Sequence, residues 1–421
     1  MTFKHLEPWR KTLYVMCVSQ FIAMMGMSKV VPFLPFYIRD LGVTNPDDVA
    51  RWSGLVYAGP FFVSFLIVPI WGHLGDRYGR KLMVLRAIAG LAASQVLIGL
   101  SQSVEMLFFF RMLQGAISGF IAAALALISA TTPREKSGYA IGLLQTATAS
   151  GNIIGPLLGG SLADAFGYRP IFFLVAGLCL LSGILIWRFV HEDPATIAQP
   201  ESKASLMSNY RYAFDSKAIR IGLLIVFLSQ VAVLLIRPIF ALYIDYLAPR
   251  HNLIATLTGA IFSSAGFFML LSSTWWGKRN DVKSYKKNLT IAIIGAAAAY
   301  ILQGFVTSPY QLLPLRAVQG FCMGGILPTL YSYITKHTIL PRRGALMGIA
   351  SSFSMFASMI GPTVGGYVGA SLGLREGFFI AGGILILTVV VTRLFFVDLV
   401  GSTPADTPAE PMLQTYAEGS S

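Results

Sequence analysis

The stretch RMLQGAISG, Arg111–Gly119, returns 205 residues later as RAVQGFCMG, Arg316–Gly324. The interval is not peculiar to that pair. GHLGD from Gly72 answers GKRND from Gly277 at 205, while IGPLLGG from Ile154 answers IGPTVGG from Ile360, and GYRPIFFLVAG from Gly167 answers GLREGFFIAGG from Gly373, both at 206. PFLPFYI from Pro32 has a counterpart in PIFALYI from Pro238. A constant offset across five blocks means a duplicated unit. Parallel repeats of this kind are related by a pseudo-two-fold axis along the membrane normal, and they build transporters that rock two bundles about a midplane site.

Composition places the repeat in a bilayer. Of 421 residues 55% are hydrophobic and only 12% charged, against about 25% charged in an ordinary soluble domain. Apolar runs such as LFFFRMLQGAISGFIAAALALISA and GFFIAGGILILTVVVTRLFF approach the ~20 residues a helix needs to cross. Apolar periods and breakers give twelve spans, near 11–38, 52–74, 83–101, 105–130, 138–164, 170–190, 218–244, 256–276, 288–307, 311–335, 344–370 and 376–397. The fold class is therefore an all-α polytopic membrane protein, with twelve transmembrane helices in two pseudo-symmetric six-helix bundles. Residues 1–190 form the first bundle and 218–398 the second; 191–217, containing HEDPATIAQPESKAS, reads as a cytoplasmic linker, and 399–421 as a disordered polar tail. The first apolar run has no small-residue cleavage site after it and reads as a retained span.

The net charge of +13 is explained by its placement. With both termini on one side, that side receives Arg10, Lys11, Arg77, Arg80, Lys81, Arg134, Lys136, Lys278, Lys286, Lys287, Lys336, Arg342, Arg343 and Arg393, among others. The other side receives Arg39, Arg51, Arg169, Arg250 and Arg375. The positive-inside rule puts both termini in the cytoplasm and removes the reason to invoke nucleic acid. Cys17, Cys179 and Cys322 all lie within apolar runs, so neither a disulfide framework nor a metal site is expected. No cofactor motif is present, and no Ser/His/Asp or phosphate-loop arrangement points to an enzyme.

The loop GHLGDRYGRK, Gly72–Lys81, resembles the signature loop of the major facilitator superfamily, G-x-L-x-D-R-x-G-R-K, at every defining position. Gly72 and Gly79 permit a tight turn. Asp76 can accept hydrogen bonds at a helix N-terminus, and Arg77, Arg80 and Lys81 can hold carboxylates or carbonyls of neighbouring helices. The resemblance implies a conformational latch there, with Asp281 as the acid of the degenerate second copy GKRNDVKSYKK. RMLQG at Arg111 resembles the basic motif of proton-coupled members, and GNIIGPLLGG at Gly151 the motif of the drug-proton antiporter branch. The whole looks most like bacterial twelve-helix multidrug exporters. That likeness implies a bacterial inner membrane, protons and a small-molecule substrate as partners, and a monomer in the lipid bilayer. The pairs Gly155-Pro156 and Gly361-Pro362 suit close helix approach and bending where two halves must separate.

Polar residues inside the spans form stripes. Arg111, Gln114 and Ser118 share one face, as do Gln145, Thr148 and Asn152, Ser351, Ser354 and Ser358, and Gln230 with Arg237. Arg316 and Gln319 repeat Arg111 and Gln114. Polar groups in lipid are costly, so these faces are expected to turn to a wet pathway or to another helix. Every Asp and Glu falls at a span end, in a loop or in a tail, leaving Lys29, Arg111, Arg237 and Arg316 as the deep ionisable residues. Exporters of cationic drugs commonly carry a membrane carboxylate, and none is evident. Two functions follow: proton-coupled export of small lipophilic compounds, or carriage of an anionic metabolite or carboxylate siderophore with Arg237 and Lys29 as counter-charges. For Lys29 a second reading stands beside the first, in which it snorkels or pairs with Asp40 or Asp245.

Overall fold

The computed structural model describes residues 7–30, 32–117, 119–192, 206–249, 251–282 and 284–397. The tail, residues 193–205 of the linker, and Ser118 lie outside them, as do the side chains of His73, Asp76 and Asp281. Sixteen α-helices run through the described chain in the order α1 (Pro8–Ser28), α2 (Leu34–Asp40), α3 (Pro46–Tyr78), α4 (Arg80–Gly99), α5 (Val104–Ile117), α6 (Phe120–Thr131), α7 (Ser137–Phe166), α8 (Tyr168–Phe189), α9 (Leu206–Asp215), α10 (Lys217–Leu235), α11 (Arg237–Leu247), α12 (Ile254–Val282), α13 (Tyr285–Gly304), α14 (Leu312–Lys336), α15 (Arg343–Ser371) and α16 (Leu374–Phe395). Eight stretches are long and apolar enough to cross a membrane by themselves. The other four span positions are filled by α1, α7, α13 and α14, whose hydropathy is diluted by charged ends and by Gly, Ser, Thr or Gln. The result is the twelve-span arrangement that the repeat requires.

Three spans expected to be continuous are broken. The first splits between α1 and α2, where Pro32 and Pro35 withhold backbone donors. The seventh breaks at the equivalent place, between α10 and α11, with Pro238 in the first turn of α11. The fourth breaks at Gly119, whose φ of 116° ends one helix and starts the next. The stretch read as linker also contains a helix: α9 lies against the second half, where Tyr212 donates to the His337 carbonyl at 3.5 Å and Arg342 to the Ser208 carbonyl at 3.2 Å.

One buried cluster draws its members from Ala213 to Phe396 and another from Leu13 to Val190. A third joins α2, α3, α5 and α8 to Ala241, Leu242 and Ala255, and so crosses between the halves. Two helix pairs make most of that crossing: α3 with α15, and α7 with α12. Their contacts follow the repeat. A Cβ added at Gly54 would sit 2.6 Å from the Pro362 carbonyl oxygen, and one at Gly259 would strike the Pro156 carbonyl. Likewise a Cβ at Gly366 would meet Ala50, and one at Gly160 would meet Ala255. Within each half, Gly155 and Gly361 lie against α1 and α10 in the same way. Each Gly-Pro pair thus turns its glycine to its own half and its proline carbonyl to the other half.

Polar contacts seal the same end. Arg39 and Asp245 pair across the halves at 2.7 Å. Asp164 accepts from the backbone N–H of Thr256 at 2.7 Å and from its hydroxyl at 2.6 Å, so an acid from the first half caps α12 of the second. All of these residues lie at the end away from the chain termini. Towards the other end the halves diverge: Phe267 to Leu271 of α12 are exposed in succession, on every side of the helix. Gly138, Gly142, Gly344 and Gly348 there have no neighbour near an added Cβ.

Overpacking this seam is expected to cost the closed arrangement about 1–3 kcal/mol. Gly54→Leu or Gly259→Leu should lengthen the distance between spin labels at positions 42 and 251, whereas Gly142→Leu, in open space, should leave it unchanged.

Candidate substrate pathway

A guanidinium inside a bilayer needs hydrogen-bond acceptors or water. Arg111 is 7% exposed. Its Nη1 donates to Gln114 Oε1 at 2.7 Å and its Nε to the Val56 carbonyl at 3.4 Å. That carbonyl is available because Pro60, four residues on in α3, has no N–H to give it. In the second half Arg316 repeats the clamp, its Nη1 donating to Gln319 Oε1 at 2.9 Å. Here position 265, the repeat of Pro60, is alanine, and Arg316 Nε is buried without a partner. Aromatic faces take over, with the guanidinium carbon 4.2 Å from the Phe240 ring centre and 5.0 Å from that of Phe262. Gln319 in turn donates to the Tyr300 hydroxyl at 2.7 Å and accepts from Gln303 at 3.0 Å.

Arg237, at the start of α11, is held differently. No hydrogen bond or ion pair to it exists among the described residues, and its Nε is buried and unsatisfied. It stands within electrostatic reach of Tyr57 of the first half and of Tyr300 and Arg316 of the second. The Tyr57 side chain is 5% exposed, and its hydroxyl also lacks a partner. A guanidinium with no hydrogen-bond partner among the described residues is therefore within electrostatic reach of a tyrosine from each half.

The polar residues of α7 take no hydrogen bonds from protein at two places. Gln145 and Asn152 are exposed, and Gln230 of α10 is half-buried, each without a partner among the described residues. Thr148, between them, accepts from Gln20 at 3.0 Å. Ser351, Ser354 and Ser358 bond back to carbonyls of their own helix.

Lys29 lies apart from this group. It is 2% exposed, donates to the Ile171 carbonyl at 3.1 Å and sits 4.6 Å from the centre of the Phe172 ring, between α1 and α8. It pairs with neither Asp40 nor Asp245, the latter being engaged by Arg39. The acceptor became legible only when α8 was placed beside the break in the first span.

The signature loop is anchored by a residue that its own sequence does not contain. Gly79, with φ of 97°, ends α3 and caps α4. The Glu192 carboxylate then accepts from the backbone N–H groups of Arg80 at 2.9 Å and Lys81 at 2.7 Å, and Lys81 Nζ donates to the Trp187 carbonyl at 3.1 Å. An acid on exposed amides at a helix start is the favourable sense of the helix dipole. Arg77 lies over the Tyr78 ring and Gly72 faces open space. In the second copy a buried network replaces this arrangement: Arg279 donates to Asn288 at 2.9 Å, Asn288 to Asn280 at 2.9 Å, and Asn280 to Thr329 at 2.6 Å.

Two broken helices at equivalent places, a glycine-lined seam at one end and a partly unsatisfied polar centre are the plan of a transporter built from two bundles. The sequence profile of the Major Facilitator Superfamily matches residues 16–253 and 224–418. The multidrug resistance proteins MdtG of Salmonella arizonae and Salmonella schwarzengrund are 35% and 34% identical to the chain over 385 residues, which is 91% of this chain and 94% of theirs. A bacterial homologue of the human lysosomal transporter Spinster, solved in an inward-facing and occupied conformation, superposes with a TM-score of 0.77 at 15% identity, covering 92% of this chain and 97% of its own. The D-xylose-proton symporter does so with 0.74 at 15% identity, over 94% and 100%. The chain belongs to the Major Facilitator Superfamily; it is an integral membrane transporter and not an enzyme.

Removing either glutamine clamp leaves a buried guanidinium short of an acceptor, at a cost of about 1–3 kcal/mol. Gln114→Leu and Gln319→Leu are each expected to lower the thermal unfolding midpoint in detergent, and Gln145→Leu to leave it in place.

Proposed function

We propose that this secondary transporter works by alternating access as a monomer, exchanging protons for small lipophilic compounds that it exports across a bacterial inner membrane. Residues 1–190 and 218–398 would be the rocking bundles, 191–217 their cytoplasmic linker, and both termini cytoplasmic. The observation that carries the export reading is the 35% identity, over nearly the whole chain, to proteins named for multidrug resistance. The arrangement of the halves fits the cycle. They are sealed at the end away from the termini and splayed at the end bearing them, which under this topology is a cavity open to the cytoplasm. Gln145, Asn152 and Gln230 would be wetted by that cavity, and the loop from Gly72 to Lys81, with Glu192, would hold the first half's cytoplasmic ends together.

A second reading has its own support. Arg237 is a deep cation with no acceptor among the described residues, within electrostatic reach of Tyr57, whose hydroxyl is unpaired, and no described carboxylate lies at mid-span to receive a cation. Such a site suits an anionic or zwitterionic solute, whose carboxylate would take the guanidinium fork.

Proteoliposomes with a trapped pH dye separate the two. Under the export reading, lipophilic cations drive proton movement in the wild type and in Arg237→Ala alike. Movement driven by carboxylates alone, and lost in Arg237→Ala, would replace that reading with the anionic one. Proton movement with neither class would refute both coupled schemes.

A further inference from the structure

A cleft of about 250 Å³ lies between the start of α13 and the end of α16, at the end of the molecule that bears the termini, and is lined by Ser284, Lys286, Lys287, Thr290 and Arg393. It is remote from the pathway between the halves. Lys286 and Lys287 occupy the first turn of α13, which contains no acid, and Arg393 the last turn of α16. Two ammonium groups at a helix start oppose the helix dipole, where an anion would be favoured. None of the three cations has a carboxylate or other hydrogen-bond partner for its charged group among the described residues. The hydroxyls beside them are turned to the backbone: Ser284 accepts from the Lys287 N–H at 3.0 Å and Thr290 donates to the Lys286 carbonyl at 2.7 Å.

The surface that continues from the cleft is apolar. Ile291 and Ile294, four and seven residues after Lys287, carry its face along α13 and are exposed. Val390 and Ile386, three and seven residues before Arg393, do the same on α16 and are exposed. Cations at the membrane interface, followed by an apolar track at hydrocarbon depth, match a molecule with a phosphate head and acyl chains better than a free anion.

We propose that this cleft is a binding site for an acidic membrane phospholipid, with Lys286, Lys287 and Arg393 on the phosphate and the chains along Ile291, Ile294, Val390 and Ile386. The guanidinium supplies a fork to two phosphate oxygens, and the ammonium groups supply charge. The lipid would bridge α13 and α16, the helices that pack together there.

Retention of lipid by the delipidated full chain in detergent, read by native mass spectrometry together with the thermal unfolding midpoint, tests this. Phosphatidylglycerol should be retained and raise the midpoint, while phosphatidylcholine and inorganic phosphate at equal concentration should not. With about 1 kcal/mol for each basic residue near the membrane surface, the triple variant Lys286→Gln, Lys287→Gln, Arg393→Gln should weaken phosphatidylglycerol binding on the order of a hundredfold. A charge-matched control, Arg10→Gln, Lys11→Gln, Lys136→Gln, should bind as the wild type does. Equal loss in the control would mean diffuse attraction and overturn the site, as would equal retention of phosphatidylcholine. A full midpoint shift with inorganic phosphate alone would overturn the lipid assignment. The wild-type comparison of the three probes decides the matter even if the triple variant fails to fold.

Discussion

Within the hydrocarbon layer no water is available to satisfy a polar group, and the rest of this structure follows from how each one finds a partner. Tyr37 and Tyr243 give their hydroxyls to the Ile98 and Gln303 carbonyls, and Trp71 and Trp276 give their indole N–H groups to Ala116 and Phe321. These are repeat-related pairs, so the same solution is written twice. The guanidinium of Arg111 depends on a carbonyl released by a proline, and that of Arg316 on rings. Both are clamped inside their own half. Arg237 has no hydrogen-bond partner among the described residues, and it lies within electrostatic reach of a tyrosine from each half.

The two halves share a plan and differ in how their ends near the termini are built. In the first half the signature loop closes around Glu192 with charge and backbone amides. In the second, Arg279, Asn280, Asn288 and Thr329 form a buried neutral chain with one cation. The first is a part-buried clasp of charge on backbone amides, whereas a buried network of amides resists partial disruption because each member lost leaves another unsatisfied.

The fold was legible because a repeat needs no structural knowledge to be seen: RMLQG against RAVQG, and GHLGD against GKRND, set the number of halves and their relation. Hydropathy found the spans but not their interruptions, since Pro32 and Pro238 register as dips in a window too broad to locate a break. The site was legible in part. Arg111, Gln114, Arg316 and Gln319 could be singled out as polar residues in apolar spans, yet whether such a residue faces a path or a partner is set by the neighbouring helix. Lys29 shows this most plainly, its acceptor lying 142 residues away. Nothing in the spacing joined Tyr57 or Tyr300 to Arg237, and Glu192 read as one acid of a polar linker. The contact of Gly54 with Pro362 joins residues that no spacing relates.

The seam between the halves is made of glycine Cα atoms and carbonyl oxygens at its closest points. Unfolding and domain opening ordinarily change heat capacity because apolar side chains become hydrated, while exposed polar backbone contributes with the opposite sign. At those closest points the backbone offsets part of the contribution of the apolar cluster that also crosses between the halves. To that extent, opening that end would change heat capacity less than an all-apolar seam would, and its free energy would follow temperature more nearly along a straight line.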